Sequence, residues 1–183
     1  DVTVLDRSLP RMRYLDDTFA GVFKTSYASA QNTIELAREA DMIIGAVLIP
    51  GAEAPKLISR AQLSELKPGA ALVDVAIDQG GCFATSRVTS HTNPIFKKYN
   101  VTHYCVPNIA ARVAKTASLA VSHVLTPILL RSQKFGGLEN FLLQNAGTRN
   151  GVYIYKGCLT NHHISRRFNL KYTDIDLLMT SSS

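Results

Sequence analysis

Cysteine is scarce in this chain: three among 183 residues, at Cys82, Cys105 and Cys158. They are far apart and form no C-x-x-C pair, which argues against a zinc knuckle or a disulfide framework. An odd, sparse count suits a reducing cytoplasm. No secretory signal leads the chain and no apolar run approaches the length of a membrane span, so no membrane partner is expected. No G-x-S-x-G elbow surrounds a serine. The histidines, His91, His103, His123, His162 and His163, show no H-x-x-x-H or H-E-x-x-H pairing. Nucleophilic catalysis is therefore unsupported and no metal is expected. His162 and His163 are expected to point apart on a helix, at the surface. Internal repeats, RNA-binding aromatic signatures, helix-turn-helix cues and basic tails are also missing, so no nucleic-acid partner is expected.

What is present is core material: 46% of the residues are hydrophobic and 19% charged. The length suits one domain, or one domain plus part of another. The net charge of +6 admits an anionic partner. The basic residues are scattered, with a mild concentration from Lys156 to Lys171, as on a solvated surface. The chain opens at Asp1, inside a β-prone run and without an initiator Met, and is read as a piece of a longer polypeptide.

Val2-Thr3-Val4-Leu5-Asp6 is β-prone and ends in an acid. Ser8 can cap a helix and Pro10 fits its first turn. Residues 22–27 read as a strand, 34–40 as a helix, and 42–50 as a strand apolar on both faces. Residues 59–66 read as a short helix stopped by Lys67-Pro68-Gly69. A strand begins at Ala71. A polar loop follows Asp78, then a helix near residues 94–99 and a strand over 101–106 ending at Pro107-Asn108. This alternation predicts βαβ units and a mostly parallel sheet with right-handed connections. The rhythm breaks after Asn108. Apolar residues then recur at helical spacing, which predicts a long helix over 116–125, bent or ended near Thr126-Pro127. Helical, loop-rich sequence follows to Phe168, and Ser181-Ser182-Ser183 reads as a frayed tail. A boundary is placed near residue 108, with an α/β sheet before it and a helical region after it.

The organising stretch is Ala71-Leu72-Val73-Asp74-Val75-Ala76-Ile77-Asp78-Gln79-Gly80-Gly81. An apolar run broken only by Asp74 reads as a buried parallel strand. The Gly pair lets the backbone turn sharply and approach a flat ligand. Asp78 is then expected at the carboxyl end of a strand, where open α/β sheets bind ligands. Asp6 ends another strand, where an acid accepts hydrogen bonds from an adenosine ribose and repels a 2′-phosphate. Asn108 ends the next strand and carries an amide that both donates and accepts. Asp6, Val47-Leu48, Asp78 and Asn108 are expected to line one crevice. A core strand with ordinary turn residues accounts for the same spacings.

Three motifs carry a resemblance: Gly45-Ala46-Val47-Leu48-Ile49-Pro50-Gly51-Ala52-Glu53-Ala54-Pro55-Lys56-Leu57, Leu66-Lys67-Pro68-Gly69, and Val73 through Gly81. His103-Tyr104-Cys105-Val106-Pro107-Asn108-Ile109, Lys115-Thr116-Ala117-Ser118 and Gly151-Val152-Tyr153-Ile154-Tyr155-Lys156-Gly157 extend it over essentially the whole chain. The sequence resembles the alanine dehydrogenase/pyridine nucleotide transhydrogenase family, in its C-terminal part and on the alanine dehydrogenase side. The resemblance implies reversible oxidative deamination of L-alanine to pyruvate and ammonium with NAD, in a homo-oligomer, commonly a hexamer. It implies an NAD-binding Rossmann domain over residues 1–108 that lacks its first strand and Gly-rich loop. Residues 109–183 are then the connecting helix and the C-terminal part of the substrate domain.

Carried over by motif, the cofactor site comprises Asp6, Arg11, Val47, Leu48, Val75, Ala76, Ile77, Asp78, Arg87, Val106, Pro107, Asn108 and Ile109. Asp78 is implied as the active-site acid. There are departures: Ala28 stands where relatives use a cofactor-contacting Ser, and Pro107-Asn108-Ile109-Ala110 replaces Ala-Asn-Met-Pro. The family's phosphate loop, substrate-binding Arg and Lys, and catalytic His are implied upstream of Asp1, so this chain alone is expected to be inactive. The alternatives are a non-catalytic fragment with a structural role, or an NAD(P)-binding, transhydrogenase-like domain.

Overall fold

The computed structural model describes residues 1–180; the serine tail at 181–183 lies outside the described residues. The fold is mixed α/β, with parallel strands and one long helix. Two compact units are present. The first holds residues 1–49 and 53–108, the second residues 50–52 and 109–183.

In the first unit, β1 (Thr3–Asp6) and β2 (Lys24–Tyr27) pair in parallel, from Thr3 opposite Lys24 to Asp6 opposite Tyr27. They are joined by α1 (Leu9–Phe19). Ser8 caps this helix, its Oγ accepting the Arg11 N–H at 3.3 Å, and Pro10 lies in the first turn, where a missing N–H breaks no ladder. Next, α2 (Ala30–Glu39) begins four residues before the expected start. Ser29 Oγ accepts the Asn32 N–H at 3.0 Å, so the cap lies upstream of the first apolar residue, Ile34.

A four-stranded sheet has the order β3-β4-β6-β5, built from β3 (Met42–Gly45), β4 (Ala71–Asp74), β5 (Ile95–Lys98) and β6 (Val101–Tyr104). The first three strands in that order run parallel and β5 lies antiparallel on β6. Between β3 and β4 lies α3 (Arg60–Leu63), held by a capping box of Ser59 and Gln62. The core gathers Ile58, Leu63, Leu72, Phe83 and Val101, all essentially inaccessible, with Ile34, Ala37 and Leu66 around them.

Several expectations need correcting. The strand over 42–50 stops at Gly45, where a Cβ would stand 2.1 Å from Cys82 Sγ. It is an edge strand, apolar on both faces but not covered on both: Met42 and Ile44, two apart and so on one face, are exposed. The helix expected near 94–99 is β5. Tyr99 and Asn100, at φ 52° and 57°, form a two-residue turn that brings Lys98 opposite Val101. Two left-handed residues match the twist of a tight hairpin.

The second unit begins with a short 3₁₀ turn and α4 (Ala114–Lys134). Pro127 does not end this helix. The helix is solvent-exposed there, so water can serve the carbonyl that proline leaves without a donor. The expectation about apolar runs also changes. Residues Ile109–Lys134 are long and apolar enough to cross a membrane by length and composition, with a mean hydropathy of 1.4 in the best window. Scattered Ser, Thr and His side chains mask this in the sequence.

Four short helices and a hairpin complete the unit: α5 (Leu138–Gln144), α6 (Ala146–Arg149), β7 (Ile154–Tyr155), β8 (Cys158–Leu159), α7 (His162–Phe168) and α8 (Ile175–Thr180). Phe141, Leu142 and Met179 are its buried apolar residues. Arg149 donates to the Leu142 and Leu143 carbonyls at 3.0 and 2.9 Å, satisfying the end of α5, and its Nε meets Asp176 at 2.7 Å. The His162 and His163 rings do not point apart. Their centroids are 3.7 Å from one another.

Candidate active site

The candidate site grows from the end of β4. Asp74 closes the strand, and residues Val75–Gln79 form a 3₁₀ turn. Asp78 therefore sits four residues beyond the strand end rather than on it. Ala76 and Ile77 are buried and anchor the turn, while Val75 and Asp78 face solvent. Gly80 and Gly81 follow at φ 88° and 76°, a conformation that only glycine adopts without strain. Their N–H groups donate to the Ile77 and Ala76 carbonyls, both at 3.0 Å.

The segment preceding α3 staples this loop. Ala54 N–H donates to the Gln79 carbonyl at 2.9 Å and Leu57 N–H to the Cys82 carbonyl at 2.7 Å. Lys56 Nζ donates to the Gly80 and Gly81 carbonyls at 2.6 and 2.5 Å. The result is a 3₁₀ turn fixed at both ends, with one carboxylate presented outward.

Asn108 reaches that carboxylate. Its backbone N–H donates to Asp78 Oδ1 at 3.1 Å and Oδ2 at 3.3 Å. Asn108 is at φ 51°, in the left-handed region that asparagine tolerates better than most residues. The loops after two adjacent parallel strands thus meet at one point. Val106 is buried beneath this meeting, Pro107 is half-buried, and Ile109 begins the second unit.

Asp6 ends β1, in a sheet with no ladder to β3. Its Oδ1 accepts the Ser8 N–H at 2.8 Å. Arg11 lies on the exposed side of α1, its guanidinium 5.1 Å from the Tyr14 ring centroid. Val47 packs on the core beyond β3, and Leu48 is exposed beside it. Arg87 stacks over Phe96 at 4.3 Å. Asp78 and Asn108 are brought into contact; Asp6, Arg11 and Arg87 each have a different neighbour.

Below the turn lies a polar cluster that sequence reasoning missed. Asp74 is 1% exposed. Its Oδ2 accepts the Cys82 N–H at 2.9 Å and the Ser86 hydroxyl, and its Oδ1 accepts the Cys82 S–H at 3.5 Å. Burial, then the Asp74 charge, pushes the Cys82 thiol up to about 12, so it stays a neutral donor rather than a nucleophile. The available signal was one acid inside an otherwise apolar run. Lys56 and Gln79 were missed as well. Gln79 Oε1 is the one buried side-chain oxygen or nitrogen without a partner among the described residues.

His103 is fully buried on β6, the strand next to β4. It stacks on Phe96, with centroids 4.7 Å apart, and its Nδ1 donates to the Val101 carbonyl at 3.1 Å. Nε2 then accepts the Thr85 hydroxyl at 2.7 Å. Burial, helped by the positive charges of Lys98 and Arg87, holds its pKa below the ordinary value. The ring is neutral and structural.

The family described as "Alanine dehydrogenase/PNT, C-terminal domain" matches residues 1–162. Alanine dehydrogenase of Halomonas elongata is 44% identical over 174 residues, covering 95% of this chain and 47% of that protein. Alanine dehydrogenase of Lysinibacillus sphaericus is 38% identical, covering 98% and 48%. A solved L-alanine dehydrogenase superimposes with a TM-score of 0.77 at 31% identity, over 92% of this chain and 46% of that one. A transhydrogenase from Sinorhizobium meliloti gives 0.56 at 27% identity, over 64% and 33%. The chain spans about half the length of the alanine dehydrogenases it matches. With a matching family pattern over most of its length and the same half-molecule fold, this chain belongs to the alanine dehydrogenase/PNT C-terminal domain family.

Proposed function

We propose that this chain is part of an NAD-dependent alanine dehydrogenase, which interconverts L-alanine with pyruvate and ammonium. The observation that carries the reading is the Asp78 carboxylate held by the Asn108 N–H where two parallel-strand loops meet. That position, beyond the carboxyl ends of the strands, is where open α/β sheets take their ligands. Alanine dehydrogenases match nearly the whole chain, whereas the transhydrogenase covers a smaller share with a lower TM-score, which favours the amino-acid reaction.

The donor set suits a dinucleotide. Asp6 keeps an oxygen beyond the one bound to Ser8, and a carboxylate accepts several bonds at once. It serves the ribose hydroxyls and disfavours a 2′-phosphate, hence NAD over NADP. Val47 and Leu48 supply an apolar wall for the adenosine. The turn Val75–Asp78, Arg87 and the segment 106–109 complete the site. The break between β1 and β3 is where a Rossmann sheet has its first strand, so residues 1–108 form most of a dinucleotide domain and residues 109–183 rejoin a substrate domain.

The chemistry NAD supplies when bound is acceptance of a hydride. Asp78 offers an exposed, pre-oriented negative charge to the iminium that forms as alanine loses that hydride. Its carboxylate also stands ready to hold a proton at Oδ1 or Oδ2 as water adds. The Asn108 N–H fixes its direction. The same reading makes the full-length protein a cytoplasmic homo-oligomer, a hexamer, acting in amino-acid catabolism.

The test is spectrophotometric, on the full-length protein with L-alanine and either NAD or NADP. Alanine-dependent NADH formation is expected, with calorimetry giving tighter binding of NAD. Tighter NADP binding contradicts the role of Asp6, and no NADH contradicts the reaction. Sedimentation tests the oligomer.

A further inference from the structure

We propose that Asp74 is a positioning residue that sets the place of the Asp78 carboxylate, a role that rests on reading Asp78 as the acid facing the substrate. A carboxylate taken out of water is strongly unfavourable unless its partners compensate. Asp74 is out of water, and no Lys, Arg or His lies within ion-pair reach of it among the described residues. Its neighbours along the strand are apolar, so an apolar residue would fill the position without that cost. What the acid supplies instead is a latch. Three donors converge on it: the Cys82 N–H, the Cys82 S–H and the Ser86 hydroxyl.

The latch closes a loop. It joins the last residue of β4 to residue 82, and Asp78 stands midway between them. Gly81 is shaped to it: a Cβ there would lie 2.7 Å from Asp74 Oδ2 and 2.7 Å from Ser86 Cβ. Acid, glycine and serine therefore fit one another at one spot under the turn. Lys56 holds the two glycine carbonyls on the same loop, so the loop is pinned by a buried anion and an outer cation. Without the anion, the Cys82 N–H and the Ser86 hydroxyl lose their acceptor, and residues 79–82 lose their tie to the strand. The Asp78 turn then loosens, and its bond from Asn108 with it.

Amide exchange at Asn108 reports on that bond and can be followed in the full-length protein without any substrate. Asp78→Ala sets the fastest Asn108 exchange. Asp74→Ala is expected to move Asn108 toward that limit by about tenfold, with a comparable rise at Cys82. Asp74→Asn keeps an acceptor for Cys82 and is expected to fall between. Turnover should drop about tenfold or more in Asp74→Ala, a larger factor than the rise in the Kd for NAD, since displacing a reacting group by a fraction of an ångström acts most on kcat. Asn108 exchange unchanged in folded Asp74→Ala overturns the proposal. So does a fall in turnover matched by an equal fall in NAD affinity. If Asp74→Ala does not fold, Asp74→Asn and Ser86→Ala carry the same comparison, and an unmoved Asn108 amide in both overturns it. Failure of the dehydrogenase reading looks different: the unsubstituted protein makes no NADH from alanine, while the exchange response persists.

Discussion

The two units of this chain handle apolar surface in opposite ways. The first buries Leu63, Leu72, Phe83 and Val101 completely, around a sheet whose middle strands are β4 and β6. The second buries Phe141, Leu142 and Met179, yet the leucines and valines of α4, from Leu119 to Leu130, are half exposed or more. The difference is one of source. The first unit draws its order from its own core, which lets it hold a loop in a defined geometry. Along α4, helix geometry is complete while the apolar face gains little from burial within the chain.

The largest expected effect breaks that comparison directly. Leu72→Ala removes a fully buried side chain and should destabilise the fold by about 2–5 kcal/mol in denaturant titration. Leu125→Ala on α4 removes a half-exposed one and should change stability by no more than about 0.5 kcal/mol. Equal losses would show that α4 is as well covered as β4.

Glycines sharpen it next. Gly81→Ala meets both a left-handed φ and a clash with the Asp74 carboxylate, and should cost about 2–3 kcal/mol. Gly157→Ala has a similar φ of 78° but open space around it, so about 1 kcal/mol is expected. Denaturation midpoints that do not separate the two variants would mean the Asp74 cluster yields easily.

The smallest effect is a pH dependence. His103 resists protonation in the folded state, while the unfolded chain protonates near 6.5. The unfolded chain thus binds more protons below that value. Stability should be full above about 6.5 and decline as the pH falls toward the lowered folded value. Thermal melts across this window check it. His103→Gln should flatten the dependence, and an unchanged slope in that variant would place its origin elsewhere.

Much of the first unit was legible because local rules and burial agree there. Ser8 and Pro10 announced α1, and the β-branched run from Ala71 announced β4. The hairpin of β5 and β6 was hidden because Tyr99-Asn100 is not a usual turn pair, and its left-handed geometry shows only in coordinates. Asp78 and Asn108 were readable as loop-end polar residues, and the resemblance named both. Their mutual hydrogen bond was not readable, since it depends on how far each loop runs past its strand. Asp74 was visible as the lone acid in its strand, but its donors lie eight and twelve residues away. Pro127 left a bend and an end both open, and the helix runs on because the freed carbonyl there can reach water.

The most direct test of the account is steady-state NADH formation from alanine by the full-length protein with Asp78→Asn. The account predicts a fall in kcat of about a hundredfold or more, in the range for loss of a positioned acid or base, with a smaller loss of NAD affinity. Turnover equal to that of the unsubstituted protein would contradict it.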